Sequence, residues 1–348
     1  MRKAVTMLLI LVMLSSVMGS ALAVKINKEQ IKSGIFDVQK GFHLENLSVG
    51  MTVVHYDGWT KVYVSGKEIF SIDENKVEYT LTPLGPKKAS YIFEVPSGSY
   101  VVKQGNVIKV YDKNRTCILK IIDHRKRLKD IGTVVASSNL NGWIEDGYNW
   151  NINSLDYFEA YLNVPKSPPS PEYNTVNFLF NGIEPNTGDS IVQPVLEWNR
   201  HANNKWTISA WAVYRNGDAI YSTPLTVSEG DTIKGTMEWK DDYDPVIADC
   251  WYVEVKDSTT NKVTSLYSNA VWRDNDLAVF VTLEGYNIKD NSDICGDTIF
   301  YNMHLYDESY NLIYVNWDKW INPDASGYLS NLNVIVHSSS KVELDTAN

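Results

Sequence analysis

The chain has 348 residues, of which 44% are hydrophobic and 21% are charged, and its formal net charge at pH 7 is −10. This length allows two domains with a sizeable core, and the acidic excess argues against nucleic acid as a partner. The three cysteines are too few for a disulfide-dense scaffold. Because Cys250 and Cys295 both fall in the C-terminal part, we interpret them as a bridged pair, and the odd count leaves one thiol over.

The first 23 residues have the pattern of a secretory signal peptide. Arg2 and Lys3 give a positive start, residues 4–18 are mostly apolar, and Ala21-Leu22-Ala23 fits a small-x-small cleavage site. No later segment approaches the roughly 20 apolar residues that a membrane helix needs. We therefore expect cleavage after Ala23 and a secreted protein that has no membrane contact once the signal is removed.

Residues 24–130 are predicted to form a small β-rich domain. Short runs with β pattern, such as 51–56 and 106–111, are separated by turn sequences such as Asp57-Gly58 and Ser65-Gly66. We find no catalytic constellation in this part of the chain.

A basic cluster at residues 123–130 ends this first part. It is interpreted either as a solvated loop or as a linker open to proteases, with Arg127 as the processing position. Residues 24–130 hold 18 Lys and Arg against 12 Asp and Glu, whereas residues 131–348 hold 12 against 30. This contrast suggests that residues 24–130 are a prosegment held by charge attraction, which acid is expected to loosen as carboxylates protonate near pH about 4.

Residues 131–348 are predicted to form an all-β domain, a two-sheet antiparallel sandwich. Aromatic density rises in this part and strands follow at fairly regular spacing, which is typical of a sandwich or barrel. Helical periodicity is nearly absent. The predicted strands include residues 155–164, 176–180, 191–198, 206–214, 232–239, 251–255, 278–284 and 298–305.

The strand at residues 191–198 carries the first candidate site residues. Side chains two positions apart share one face of a strand, so Gln193, Val195 and Glu197 are predicted to point the same way. Pro194 cannot donate a ladder hydrogen bond, which favours an edge or a bulge there. On this pattern alone, the strand is an ordinary sandwich strand with two solvent-facing polar residues.

Several segments between residues 140 and 305 occur in a characteristic order. They are Asn141-Gly142-Trp143, Val164-Pro165, Phe178 to Ile183, Ile191-Val192-Gln193, Trp206 to Tyr214, Val227-Ser228-Glu229-Gly230-Asp231-Thr232-Ile233, and Glu254 to Lys262. This order resembles that of the glutamic peptidases (the eqolisin family), whose catalytic glutamine follows Ile-Leu and whose later segment is Val-Ser-Ala-Gly-Asp-Ser-Ile. The resemblance implies a jelly-roll sandwich related to concanavalin A-like lectins.

The sequence departs from the family at the catalytic glutamate, which lies in an Ala-Glu-Trp-Ile-Val-Glu context. A direct overlay on the strand that starts at Ala278 puts Val279 at that position. A shift within the strand puts Glu284 there instead, and we prefer Glu284 because the strand offers no other carboxylate. The chain after residue 305 extends beyond the usual end of the family.

The resemblance implies a secreted, acid-acting endopeptidase with a polypeptide substrate, without a cofactor or metal, and we expect a monomer. Peptide hydrolysis of this kind needs a base that activates water and a donor that holds the oxyanion. Glu284 is the predicted base and acid, and Gln193 the predicted oxyanion donor. The predicted substrate-binding residues beside them are Glu197, Trp198, Trp206 and Trp211.

Two other classes of function stay open on the sequence. A sandwich rich in Trp and Tyr could stack sugar rings, as in a non-catalytic carbohydrate-binding module, or could belong to a structural cell-surface protein. A two-carboxylate glycosidase would need a second acid about 5–10 Å from Glu284. Glu197 is the candidate for that second acid.

Overall fold

The computed structural model describes residues 35–37, 40–44, 50–125, 139–172, 174–241, 249–273 and 276–346. The predicted signal peptide, its cleavage position Ala23 and the processing position Arg127 lie outside the described residues, so they stay predictions.

The described residues before position 126 form short strands separated by tight turns. These strands are β1 (Phe36–Asp37), β2 (Gly41–His43), β3 (Met51–Tyr56), β4 (Trp59–Val64), β5 (Lys67–Asp73), β6 (Tyr79–Thr82), β7 (Gly85–Lys88), β8 (Ile92–Val95), β9 (Ser99–Gln104), β10 (Val107–Tyr111) and β11 (Cys117–Asp123).

The described residues after position 138 form longer strands. They are β12 (Leu140–Ile152), β13 (Leu155–Asn163), β14 (Val176–Pro185), β15 (Ile191–Trp198), β16 (Trp206–Val213), β17 (Ala219–Ser222), β18 (Leu225–Val227), β19 (Thr232–Lys240), β20 (Cys250–Asp257), β21 (Lys262–Ser268), β22 (Leu277–Ile288), β23 (Thr298–Asp307), β24 (Leu312–Ile313), β25 (Asp318–Ile321), β26 (Asn333–Ser338) and β27 (Lys341–Asp345).

Helical structure in the described ranges consists of short 3₁₀ segments. None of the helices found there is long and apolar enough to cross a membrane. The 3₁₀ segments are Glu74–Lys76, Ala89–Tyr91, Asn291–Asp293 and Pro323–Gly327.

Two large sheets pack as a sandwich. Sheet 1 runs in the order β1-β2-β8-β17-β16-β15-β14-β22-β12-β25, with β18 beside β16. Sheet 2 runs β26-β27-β23-β13-β19-β20-β21-β9-β10-β11-β3-β4-β5, with β24 beside β23, and β6 and β7 form a separate hairpin. Among the described residues after position 138, every strand pair is antiparallel. The predicted all-β, two-sheet sandwich is confirmed.

The main core lies between the two sheets, and strand alternation divides the side chains of sheet 1 between its two faces. Val192 and Leu196 of β15 point inward and pack in one cluster with Phe158 of sheet 2. Val195 of the same strand and Phe280 of β22 belong to a second cluster on the other side. We call that second side the outer face of sheet 1.

Strands from the first part of the chain extend both sheets across the predicted boundary at residue 130. Strand β8 pairs in parallel with β17 in sheet 1, and β9 pairs in parallel with β21 in sheet 2. Phe93 and Val101 from these strands lie in the main core. The two parts of the chain therefore share their sheets and their core, and removal of all of residues 24–130 would expose buried apolar surface.

The cysteine arrangement differs from the predicted bridge. Cys250 and Cys295 are both free thiols and both buried. Cys250 packs beside Tyr100 and Val102, whereas Cys295 lies in the main core. Because the two thiols belong to different packing clusters, the predicted Cys250–Cys295 pairing is wrong.

Gly235 of β19 lies in close contact with β14 and β15 of the opposite sheet. A Cβ atom at this position would lie 2.6 Å from Cγ of Pro194 and would also collide with Oδ1 of Asn181. We expect Gly235→Ala to lower the free energy of unfolding by about 1–3 kcal/mol through overpacking, measured by urea denaturation. Gly327→Ala is the matched control because no atom lies within 4 Å of its added Cβ. Equal stability of the two variants would contradict this prediction.

Candidate functional site

The outer face of sheet 1 brings the predicted polar residues together on one surface. Strand alternation places Gln193 and Glu197 on the same side as Val195, and Glu284 on the same side as Phe280 and Tyr286. All three polar side chains are buried, with 0% exposure for Gln193 and Glu197 and 1% for Glu284. The solvent-facing alternative considered for these residues therefore does not hold.

The carboxyl group of Glu284 accepts hydrogen bonds from two directions. The hydroxyl of Tyr286, two residues along β22, donates to Oε1. The backbone N–H of Leu84 lies 3.3 Å from Oε1 and 3.2 Å from Oε2. Burial raises the pKa of Glu284 to about 7, although Tyr286, Leu84 and the nearby Lys87 act in the opposite direction. At pH 5 the buried group is therefore mostly protonated.

Leu84 belongs to the β6–β7 hairpin, which lies against the outer face. Leu81 and Leu84 pack on the apolar residues of that face. The turn has Pro83 followed by Leu84 at φ 77° and then Gly85, the pattern of a type II turn whose third position usually needs glycine. A leucine held in this left-handed conformation costs about 1–3 kcal/mol. Its packing and its hydrogen bond to Glu284 offset that cost.

Lys87, on the second strand of the hairpin, adds a charge to this contact. Burial lowers its pKa, and the attraction of Asp218 and Glu284 opposes that shift. Asp218 also lies 3.3 Å from Nη2 of Arg125, at the start of the predicted linker. The first part of the chain therefore contacts acidic groups of the second part at defined positions, as the charge contrast suggested.

Glu197 has its own set of donors. Its Oε1 accepts from the hydroxyl of Ser209 and from Nε1 of Trp211 at 2.9 Å. Nε2 of His201 lies 2.8 Å from Oε2. Burial lowers the pKa of His201, and Glu197 opposes that shift.

Strand register sets Glu197 directly across the sheet from Glu284. Phe178 of β14 pairs with Glu197 on one side and with Glu284 on the other. Two strand spacings separate the Cα atoms of the two glutamates by about 10 Å. They stand in one row, with the ring of Phe178 between them.

Gln193 lies on the same face but farther along the strands. It precedes Glu197 by four residues, which places it about 13 Å along the strand direction from the row of Glu284. Its Nε2 and Oε1 atoms have no hydrogen-bond partner among the described residues. The shared face that the sequence predicts for Gln193 and Glu284 is present, whereas a single water between them is not compatible with this register.

The aromatic residues predicted for substrate binding separate between the two faces. Trp211 pairs with Gln193 and belongs to the outer-face cluster. Trp198 and Trp206 belong to the main core instead. Successive side chains of a strand point to opposite faces, and Trp198 directly follows Glu197, so Trp198 points to the opposite side of β15. The outer face receives Glu197 and Trp211 but not Trp198 and Trp206.

Two further acids lie buried near this surface. Burial raises the pKa of Asp146 to about 7 and that of Glu184 to about 8, and the charge of Asp146 contributes to the second shift. The hydroxyl of Thr282 donates to Asp146 at 2.7 Å. Within the described ranges, no group of three or more His, Cys, Asp and Glu side chains could hold a metal ion.

Sequence reasoning missed the residues that the fold brings from other elements. The sequence Pro83-Leu84-Gly85 signals a turn, but nothing local indicates that its N–H reaches a carboxylate 200 residues away. Arg200 and His201 directly follow the strand of Gln193 and Glu197, and charged residues at a strand end could have been considered as site residues.

No family model matches the chain, and no curated protein sequence is similar to it. Among solved structures, it is similar to scytalido-glutamic peptidase with a peptide-based transition state analogue, at 17% identity and TM-score 0.42, covering 59% of this chain and 98% of that one. SCP-B, an eqolisin peptidase in complex with the tripeptide Ala-Ile-His, matches at 17% identity and TM-score 0.42 over 60% and 100%. The laminarinase catalytic domain from Thermotoga maritima matches at 11% identity and TM-score 0.27 over 56% and 73%. At these values the comparisons assign no activity to the chain.

Proposed function

We propose that the protein is an exported, acid-acting peptide hydrolase of the glutamic type, with Glu284 as the group that transfers the proton. The observation that carries the proposal is the contact between Glu284 and the backbone N–H of Leu84, at 3.2 Å from Oε2. A chain segment of this protein thus already presents a peptide nitrogen to the carboxyl group. A substrate peptide bound in its place would present its scissile nitrogen to the same group.

The proposed reaction uses Glu284 twice. As a carboxylate it accepts a proton from water, whose oxygen then attacks the scissile carbonyl carbon. The negative charge on the former carbonyl oxygen needs an N–H or O–H donor. When the C–N bond breaks, the protonated Glu284 returns its proton to the leaving nitrogen. Gln193 cannot supply that donor in this register, because it lies about 13 Å along the strands from the row of Glu284; in the proposal it contacts an extended substrate farther from the scissile bond.

The β6–β7 hairpin has the position of a cover in this proposal. It occupies the place of the substrate beside Glu284, through Leu84, and adds the positive charge of Lys87. Displacement of the hairpin alone would open the face and leave both sheets intact. In the proposal, residues 79–88 are therefore the part of the predicted prosegment 24–130 that blocks the site.

A second function is favoured by the row that contains Glu197, Phe178 and Glu284. Two carboxyl groups in different environments are the requirement for glycoside hydrolysis, one as acid and one as base or nucleophile. The buried Glu284 fits the acid, because burial raises its pKa to about 7, and Glu197 is the second carboxyl group of the row. Their Cα atoms lie about 10 Å apart on the same face of the sheet.

The test displaces the hairpin and measures hydrolysis. Leu81→Asp with Leu84→Asp puts charges into the apolar contact of the hairpin, so we expect the cover to detach because unpaired buried charges are costly. We expect casein digestion at pH 3–5 to rise at least about tenfold in this variant. Tyr79→Asp is the control, since Tyr79 is 64% exposed at the start of the same hairpin.

A soluble β-glucan assayed in parallel separates the two functions. Glucan hydrolysis that disappears in Glu197→Gln, without casein digestion, would replace the peptidase proposal by the glycosidase. A folded double variant, shown by near-ultraviolet circular dichroism, that cleaves neither polymer would contradict both.

A further inference from the structure

The loop after β15 places a second polar group on the outer face of sheet 1. Arg200 and His201 lie over the stacked rings of Trp211 and Tyr221, whose centroids are 4.5 Å apart. The guanidinium carbon of Arg200 is 5.9 Å from the Trp211 ring and 6.0 Å from the Tyr221 ring. The imidazole of His201 is 4.9 Å from the Tyr221 ring. Nε2 of His201 lies 2.8 Å from Oε2 of Glu197, so this cluster lies beside Glu197, and the backbone of Trp211 pairs with Gln193 farther along β15.

Arg200 is only 8% exposed, and its Nε and Nη2 atoms are buried without a hydrogen-bond partner among the described residues. A buried charge without a partner is strongly unfavourable. Such an arrangement is expected where a ligand supplies the partner. Gln193 strengthens this interpretation because both atoms of its amide are also buried and unpartnered beside Trp211.

The carboxylates of this region have other contacts, although Oε2 of Glu197 has no hydrogen-bond partner among the described residues. Glu197 accepts from Ser209 and Trp211 and lies 2.8 Å from His201. Glu94 lies 2.7 Å from Nδ1 of His43 and accepts from the hydroxyl of Tyr221 at 3.3 Å. They do not occupy Nε and Nη2 of Arg200, which have no hydrogen-bond partner among the described residues.

The geometry of the two unpartnered donors indicates which chemical group a ligand would present. Nε and Nη2 form one edge of a guanidinium, and their N–H bonds run parallel, which matches the two oxygens of a carboxylate. We propose that Arg200 binds a carboxylate group of a ligand through this edge, with Gln193 binding the neighbouring amide. If the proposed peptidase function is right, on which this assignment of the ligand rests, the carboxylate is the free C-terminus or an acidic side chain of a peptide.

Binding of three short peptides tests the proposal by isothermal titration calorimetry with the full chain and with the hairpin-displaced variant. The probes are acetyl-tetraalanine with a free C-terminal carboxylate, its C-terminal amide, and the same amide with one Glu in place of Ala. We expect at least tenfold tighter binding of one of the two carboxylate peptides than of the neutral amide. Which of the two binds identifies the source of the carboxylate.

Arg200→Gln is expected to remove this discrimination, whereas Arg215→Gln is expected to keep it, because Arg215 is exposed and pairs with Asp189. Equal binding of all three peptides to the unsubstituted chain, or discrimination that survives Arg200→Gln, would overturn the proposal. Both outcomes are measured by binding and not by hydrolysis. If the chain binds the carboxylate peptide but does not digest casein, the proposed hydrolase activity is refuted and the proposed carboxylate site is not.

The melting temperature of Arg200→Met without ligand provides a second readout. A ligand-binding arginine that has no partner in the free protein can be replaced by an apolar side chain without loss of stability. We expect an unchanged or higher melting temperature. A fall of more than about 5 °C would show that Arg200 is a structural residue, and would overturn the assignment.

Discussion

Glu284→Gln in the hairpin-displaced chain is expected to reduce casein hydrolysis at least about 1,000-fold, because general acid–base transfer at this position has no substitute. Glutamine has nearly the same shape but neither accepts a proton from water nor returns one to the leaving nitrogen. Gln193→Ala is expected to raise KM with little change in kcat, because Gln193 lies about 13 Å along the strands from Glu284 and can contact only a distant part of an extended substrate. Both variants are measured at pH 3–5 by initial rates.

Glu184→Gln is the matched control for Glu284→Gln. Glu184 is also a buried acid whose pKa burial raises, but it takes no part in the proposed reaction, so we expect its substitution to leave kcat unchanged. Activity above one tenth in Glu284→Gln would refute the assignment of the base. A fall of about 100-fold or more in kcat for Gln193→Ala would show instead that its amide holds the oxyanion.

The working pH of Glu284 depends on the cover. In the covered chain, burial raises its pKa to about 7, so at pH 4 the group is protonated and cannot act as a base. Displacement of the hairpin admits water to the carboxyl group, which moves its pKa back toward the ordinary value of about 4.3. Activity in acid is therefore expected only from the uncovered chain.

Much of the fold could be predicted from local patterns. The predicted strand at 155–164 is observed as Leu155–Asn163, and that at 206–214 as Trp206–Val213. Alternation of side chains and turn residues sets these bounds, because both act over a few residues. The same periodicity places Gln193 and Glu197 on one face of β15. It also places Trp198, one residue after Glu197, on the opposite face, so the inward direction of Trp198 was predictable from the sequence.

Long-range pairing could not be predicted in this way. The parallel pairs β8 with β17 and β9 with β21 join segments separated by more than 120 residues, and no local pattern encodes them. The same holds for the register that aligns Glu197 with Glu284 through Phe178. Docking of the β6–β7 hairpin likewise depends on the finished outer face, which exists only after the sheet has formed.

Acid is expected to stabilise the protein as the pH falls from about 9 toward about 4, above the pH at which paired carboxylates lose their charge. Burial raises the pKa of Glu145 to about 9, that of Glu184 to about 8, and those of Asp146 and Glu284 to about 7. In the unfolded chain these groups titrate near 4. A folded pKa that is raised above the unfolded value contributes stability that is lost as the pH rises through the folded pKa.

The melting temperature is therefore expected to rise by about 5 °C or more between pH 8 and pH 5.5 at constant ionic strength, measured by differential scanning fluorimetry. Glu145→Gln, which cannot ionise, is expected to flatten this profile, whereas Glu343→Gln, at the partly exposed pair with His337, is expected to leave it unchanged. A melting temperature that falls steadily from pH 8 to pH 5.5 would contradict the buried, protonated state of these acids.

Acid is expected to weaken only the contacts made by carboxylates whose pKa is lowered in the folded chain. For Asp123 and Glu94, Arg125 and His43 respectively outweigh the effect of burial and lower the pKa. Their contribution to stability is present above the unfolded pKa of about 4 and is lost as the pH falls through the lower folded value. Asp123 accepts a hydrogen bond from Asn216, and Glu94 accepts one from Tyr221, so both residues join the first part of the chain to the second outside the β6–β7 hairpin. These contacts are expected to weaken only below pH about 4.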